Sequence, residues 1–407
     1  MSDSADNPPL PPLAGIRVLD LATFLAGPFC AATLAEFGAE VIKVEQPGIG
    51  DPARRFGSPT PCGDTLPFLG ENRNKTSLTL NLKTPEGADL LKRLVAGVDV
   101  VVENFQPGTL EGWGLGWDVL SQANPRLVML RISGYGQTGP YRGRPGFGRI
   151  ANAFGGLAYL AGWPDRAPVT PGSATIPDYL AGLYGVMGIL MALRARDRDG
   201  IGQQIDIGLY EPVFRILDEL AGAFQQRGYV RERMGPGTVN VCPHSHYPTA
   251  DGCWVAIACT SDKIFERLAQ AMGRPDLARA DAWGTTAARL AAREAVDELV
   301  GAWTSAHDRD AVLAACEAAQ VPCGPVASIA EIFADPQVAA RGNIRRIDDP
   351  RVGETVAIAD TVPRLTRTPG AITGLGPALG ADTDRLLSGL LGLDAGELAR
   401  LRALGAI

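Results

Sequence analysis

Short apolar runs alternate with amphipathic stretches along the first half of the chain. IRVLDL (16–21), EVIKVE (40–45), DVVVENF (99–105) and RLVMLRIS (126–133) are each a few residues long and rich in Val, Ile and Leu. That is the pattern of strands buried on both faces of a sheet. SLTLNL (77–82) alternates and predicts another strand. Between them, GPFCAATLAEFG (27–38) and TPEGADLLKRLVAG (84–97) carry helical periodicity; the second has Thr84 as N-cap, Pro85 at its first position and Gly97 at its end. The fold class implied is α/β: a Rossmann-like large domain with a mainly parallel sheet and helices on both faces.

The texture changes further on. A long apolar helix is expected over 177–197, then the strand QIDIG and a helix over 209–228. HYPTADGCWVAIACT (246–260) predicts an antiparallel hairpin around Asp251-Gly252. Ala-rich amphipathic helices follow at 261–277, 289–307 and 309–320. The expected organisation is a polar, Pro-rich disordered arm over 1–13, a large domain beginning at 14–224, a smaller α+β domain at 225–330, and a return to the large domain over 331–407.

Composition narrows the function. A net charge of −7 argues against a nucleic-acid-binding surface. The seven cysteines are dispersed with no CxxC spacing, as expected of reduced thiols in the cytoplasm. No secretory leader is evident. The segment Tyr179 to Ala195 is apolar but contains three glycines and falls short of a bilayer span, so a buried helix is expected rather than a membrane anchor.

Motifs with chemical meaning are few. GYGQTG (134–139) has the spacing of a dinucleotide loop, but Pro140 follows where a helix should start, so it reads as a glycine-rich loop at a strand end. His244 and His246 lack the Cys, Asp or Glu company of a metal site. Asp178 stands after Pro177 in a predicted first helical turn. It is either a residue that complements the helix terminus or an accessible carboxylate held ionised there, with Gly172, Gly182 and Gly185 leaving room for a ligand.

Longer stretches carry a resemblance. LAGIRVLDLATFLAGPFCAATLAEFGAEVIKVEQPGIGDPAR, NRNKTSLTLNLKTPEG, VVENFQPGTLEGWGLGWDVLSQANPRLVMLRISGYGQTGPY and PVTPGSATIPDYLAGLYGVMGILMALRARDRDGIGQQIDIGLYE together resemble the family III CoA-transferases, the CaiB/BaiF or formyl-CoA transferase-like family. The resemblance implies an interlocked dimer, with a homodimer or a heteromer with a related subunit both open. It implies no permanently bound cofactor, coenzyme A thioester serving as substrate. Asp178 would be the nucleophile. Leu25, Ala26, Leu80, Lys83, Asn104, Phe105, Arg144 and Phe147 would contact CoA, Lys83 and Arg144 at its phosphates and Phe105 or Phe147 at its adenine. Gly134 to Gly139 or Gly235-Pro236-Gly237 would supply N–H donors to the reacting carbonyl.

Gln46 stands where some members carry a basic residue, and another basic position is missing near Gly112. The racemase branch uses a His where this chain has Phe147, which disfavours racemisation. Within the family the likeness is greatest to members moving CoA from succinyl-CoA to malate or citramalate; related enzymes act on itaconate or benzylsuccinate. A dicarboxylic acid acceptor needs a cation for its second carboxylate. Arg73, His244 and His246 are the candidates, with Arg142, Arg231 and Arg233 behind them.

Overall fold

The computed structural model describes residues 9–170, 172–173 and 175–407. Most of the expected arm lies outside them. Six parallel strands form the main sheet: β1 (Arg17–Asp20), β2 (Glu40–Glu45), β3 (Lys75–Thr79), β4 (Val100–Glu103), β5 (Val128–Ser133) and β6 (Gln203–Gly208). Their order is β3-β2-β1-β4-β5-β6. The chain runs outward from β1 to β3, then returns to place β4 beside β1. A crevice opens at such a reversal, beyond the carboxyl ends of the strands.

Strand alternation divides the core into two layers. Leu19, Ile42, Leu78, Val101 and Met129 face one side, against Leu90, Leu91 and Leu94 of α2 (Pro85–Val95) and Leu386, Leu398 and Leu401 from the last two helices. Val18, Val41, Val100, Val128 and Leu130 face the other, under α1 (Ala26–Glu36) and the long helix Ile176–Asp199. β3 is displaced from the expected 77–82. It begins at Lys75, opposite Val41, and ends at Thr79, because Asn81 leaves the ladder and donates its N–H to Ala406 O.

The chain divides into two compact units. One comprises the residues up to Ala158 with Thr170–Ala223 and Arg341–Ile407; the other comprises Tyr159–Val169 and Phe224–Ala340. Besides the main sheet, the first holds an antiparallel hairpin of Ile344–Asp349 and Glu354–Ala359. The second holds the expected hairpin, His244–Pro248 with Trp254–Ala258, and a third strand, Cys323–Pro325, that the sequence did not suggest. The single helix expected over 209–228 is two, Tyr210–Arg215 and Leu220–Arg227, separated by Asp218 at φ 60°.

Candidate active site

The nucleophile candidate sits on the long helix Ile176–Asp199, α4, which follows α3 (Gly148–Phe154) in the chain. Thr175 is the N-cap, but its side chain caps nothing. Asp178 lies in the first turn, and Gly200 ends the helix in the left-handed conformation at φ 77°. α4 is long and apolar enough to cross a membrane by length and composition. One face packs on α1 and β5, while Leu183, Met187, Leu190 and Met191 stay exposed.

Gly182 and Gly185 serve this packing. A Cβ on Gly182 would fall 2.6 Å from Phe29 and 2.9 Å from Ala26 O; one on Gly185 would fall 2.7 Å from Leu130. The space their missing side chains leave is filled by neighbours rather than reserved for a ligand, which corrects the expectation from sequence. The close approach brings the start of α4 against the loop that opens α1.

Asp178 lines a cleft of about 300 Å3 with Thr23, Phe24, Ala26, Asn104, Phe105, Ser133, Gly134, Arg144, Gly146 and Phe147. Five of the residues expected at CoA are therefore gathered around it. A second cleft, about 310 Å3, is lined by Leu80, Lys83, Gln46, Trp113 and again Thr23 and Phe105. Phe105, packed edge-on against Trp113 with centroids 5.5 Å apart, borders both. Leu25 is the N-cap of α1, beside Ala26, and lines neither of these two clefts.

The loops around the clefts are fixed by buried polar groups. Asn104 Oδ1 accepts the Thr23 N–H at 2.7 Å, and its Nδ2 donates to Thr23 O at 2.7 Å. Asp51 Oδ1 accepts the Phe24 N–H at 3.0 Å and the Ala53 N–H at 2.8 Å. Its other oxygen lies 2.8 Å from Lys43 Nζ, and both side chains are fully buried. Lys75 joins this core through Asp20 at 2.8 Å. Glu103 Oε2 accepts the Phe105 N–H at 2.8 Å while Oε1 pairs with Arg131 at 2.7 Å. Burial still pushes the Glu103 carboxyl up to about 7. Apart from the local Asp51–Ala53, Lys43–Asp51 and Glu103–Phe105 contacts, these tethers join segments far apart in the chain, so the sequence does not show them.

Burial also governs Asp178. It pushes the carboxyl up to about 6, against a smaller opposing effect from its own backbone N–H. Desolvation outweighs the helix terminus, so Asp178 ionises less readily than an ordinary aspartate yet stays largely a carboxylate at neutral pH. Asp178 takes up a proton near pH 6 rather than near 4.

The substrate candidates fare differently. Arg73 is buried and bound to Glu36 at 2.6 Å, and it does not line the Asp178 cleft. Its guanidinium is already paired with a carboxylate of the chain. His244 and His246 lie on the first strand of the second unit's sheet. Arg233, also in that unit, donates to Tyr159 O at 2.9 Å, and Arg231 belongs there too. Arg142 is exposed in the loop after β5, while Arg144 stacks 3.7 Å from the Tyr141 ring centroid. No group of three His, Cys, Asp or Glu side chains that could hold a metal occurs among the described residues.

Residues 13–383 match the profile of CoA-transferase family III. The chain belongs to CoA-transferase family III. Among the family's curated members it is similar to the succinyl-CoA–L-malate CoA-transferase beta subunit of Chloroflexus aurantiacus, 55% identical over 96% of this chain and 97% of that one. The alpha subunit from the same organism is 52% identical over 96% of this chain and 92% of its own length. The succinyl-CoA–D-citramalate CoA-transferase of Chloroflexus aurantiacus is 47% identical over 98% of this chain and 99% of that one. A crystal structure of a CaiB/BaiF family protein from Brucella suis superposes with a TM-score of 0.82 at 36% identity, covering 94% of this chain and all of that one. These relatives are named CoA-transferases, and this chain is a CoA-transferase.

Proposed function

We propose that this family III enzyme moves CoA from succinyl-CoA to a dicarboxylic acid, malate or citramalate, with Asp178 as the nucleophile. The observation that carries the reading is the cleft itself. It holds one carboxylate, Asp178, among Ala26, Asn104, Phe105, Arg144 and Phe147, with Gly134 beside them. The donor and acceptor follow from the names of the malate and citramalate relatives.

In this mechanism the Asp178 carboxylate attacks the succinyl thioester carbon, giving a mixed anhydride and CoA thiolate. The thiolate attacks the aspartyl carbonyl, releases succinate and leaves an aspartyl-CoA thioester. The acceptor carboxylate then attacks that thioester, and the thiolate returns to take the acceptor acyl group. Every intermediate is an acyl derivative, so no ATP is consumed. N–H groups near Gly134 support the tetrahedral oxyanions. CoA runs from the Leu80–Lys83 cleft past Phe105 to Asp178, a path consistent with Phe105 bordering both clefts. No resident cofactor is needed.

The alpha and beta subunit names of the relatives support assembly with a second family III chain. The exposed Leu183, Met187, Leu190 and Met191 flank of α4 is a surface for it to cover.

The deciding experiment incubates purified protein with succinyl-CoA and malate, citramalate, itaconate or benzylsuccinate, and identifies the new thioester by mass. Asp178→Ala should lower transfer by at least about a thousandfold. Undiminished transfer by that variant would remove Asp178 from the mechanism. Failure to consume succinyl-CoA with any acid would remove the donor.

A further inference from the structure

Phe24 carries a bulky side chain at φ 60°, in the left-handed region that suits glycine. A strained position of this kind persists only where its surroundings hold it. Here they do so from three directions. Asp51, backed by the buried Lys43, accepts the Phe24 N–H; Asn104 grips both backbone groups of Thr23 before it; α1 starts just after it. The result is that the Phe24 ring stands at the Asp178 cleft instead of folding away. It meets Phe147 edge-on at 6.0 Å and Phe56 edge-on at 6.2 Å between centroids. All three side chains are exposed, so they add little to the core.

The chemistry at Asp178 supplies a reason to hold a ring there, granted the reading above. Anhydride and thioester intermediates react with water as well as with carboxylates. Water adding to the aspartyl-CoA carbonyl would form a C–O bond and break the C–S bond. The product pair is a free aspartic acid and CoA thiol, one water proton ending on sulfur, and the CoA is lost to transfer. A transferase must therefore keep water away while an acid is awaited.

We propose that Phe24, with Phe147, walls water from the Asp178 cleft and so sets how the bound intermediate partitions between an acid acceptor and water. Asp51 is the positioning residue that holds Phe24 in place for this.

The test compares two rates in one preparation: CoA released from succinyl-CoA without acceptor, and CoA transferred to malate. Phe24→Gly removes the ring and relieves the left-handed strain, so it should fold at least as well as the parent. The ratio of hydrolysis to transfer should rise about tenfold or more, a loss of one decade in barrier discrimination. Phe24→Leu, which keeps an apolar wall, should leak less than Phe24→Gly. Asp51→Asn should raise the ratio as well, with melting followed to confirm a folded protein. An unchanged ratio in Phe24→Gly, with the parent still transferring CoA, overturns the proposal. A parent that transfers CoA to none of the acids overturns the functional reading beneath it, a separate outcome.

Discussion

Gly134 and Gly146 lie back to back: a Cβ added to Gly134 would stand 2.8 Å from the Gly146 Cα, and one added to Gly146 would stand 2.7 Å from the Gly134 Cα. Both line the Asp178 cleft. The loop after β5 and the segment leading to α3 thus touch through bare backbone, which lets Phe147 reach the cleft. Gly146→Ala should force the two segments apart. A cost of about 1–3 kcal/mol is expected from such overpacking. The urea midpoint should fall and CoA binding, followed by calorimetry, should weaken by more than about tenfold.

Asp178 titrates near pH 6, so the unprotonated nucleophile is depleted below that value. Transfer measured as kcat/KM should fall about tenfold for each unit below pH 6. The same burial has a stability consequence of opposite sense. A carboxyl whose folded value lies above its ordinary 3.8 stabilises the fold when protonated, and that contribution is lost as pH rises through about 6. Asp178→Asn, which carries no charge, should therefore be more stable than the parent at pH 8, by on the order of 2–3 kcal/mol, and match it near pH 4. Thermal denaturation at the two pH values checks this, and a variant that is inactive yet more stable is the expected result.

Asn104 is expected at CoA from sequence, yet both ends of its amide are committed to Thr23. Its removal leaves a backbone N–H and carbonyl without partners, a loss of about 1–3 kcal/mol. Asn104→Ala should raise KM for succinyl-CoA about tenfold with a smaller effect on kcat, since the loop that shapes the cleft loosens while Asp178 stays. Asn104→Asp restores the acceptor for the Thr23 N–H but not the donor to Thr23 O, and should fall between the parent and the alanine variant. Steady-state kinetics with the three proteins separates these outcomes.

The sheet is largely legible in the chain because each buried parallel strand is a run of Val, Ile and Leu, and the helices between carry their own stops, such as Thr84 at the N-cap of α2. The ends are less so. Thr79 ends β3 where contact with residues near the carboxyl end takes over, and Asp218 breaks a helix that periodicity alone would continue. Asp178 stands out as a lone carboxylate at a helix start, but its chemistry comes from resemblance rather than spacing. Its raised proton affinity cannot be read there, because the burial responsible comes from α1 and the β4 and β5 loops folding over it. Gly182 and Gly185 show the same limit from the other side. A glycine in sequence marks absent volume, and only the packed helices reveal that Phe29 and Leu130 occupy it.

The first unit is built from both early and late parts of the chain. Asp382 accepts the Ser77 N–H, Thr383 accepts the Thr79 N–H, and Leu386, Leu398, Leu401 and Ile407 complete the layer behind β1, β2 and β3. During synthesis, then, β3 and the Leu80–Lys83 cleft beside it stay open on one side until residues 375–407 emerge. The Asp178 side of the sheet, covered by α1 and α4, is closed far earlier. A nascent chain halted near residue 370 would hold a formed nucleophile cleft next to an unfinished edge of β3. That half-built sheet leaves bare the apolar layer of Leu19, Ile42 and Leu78 that Leu386, Leu398 and Leu401 later cover.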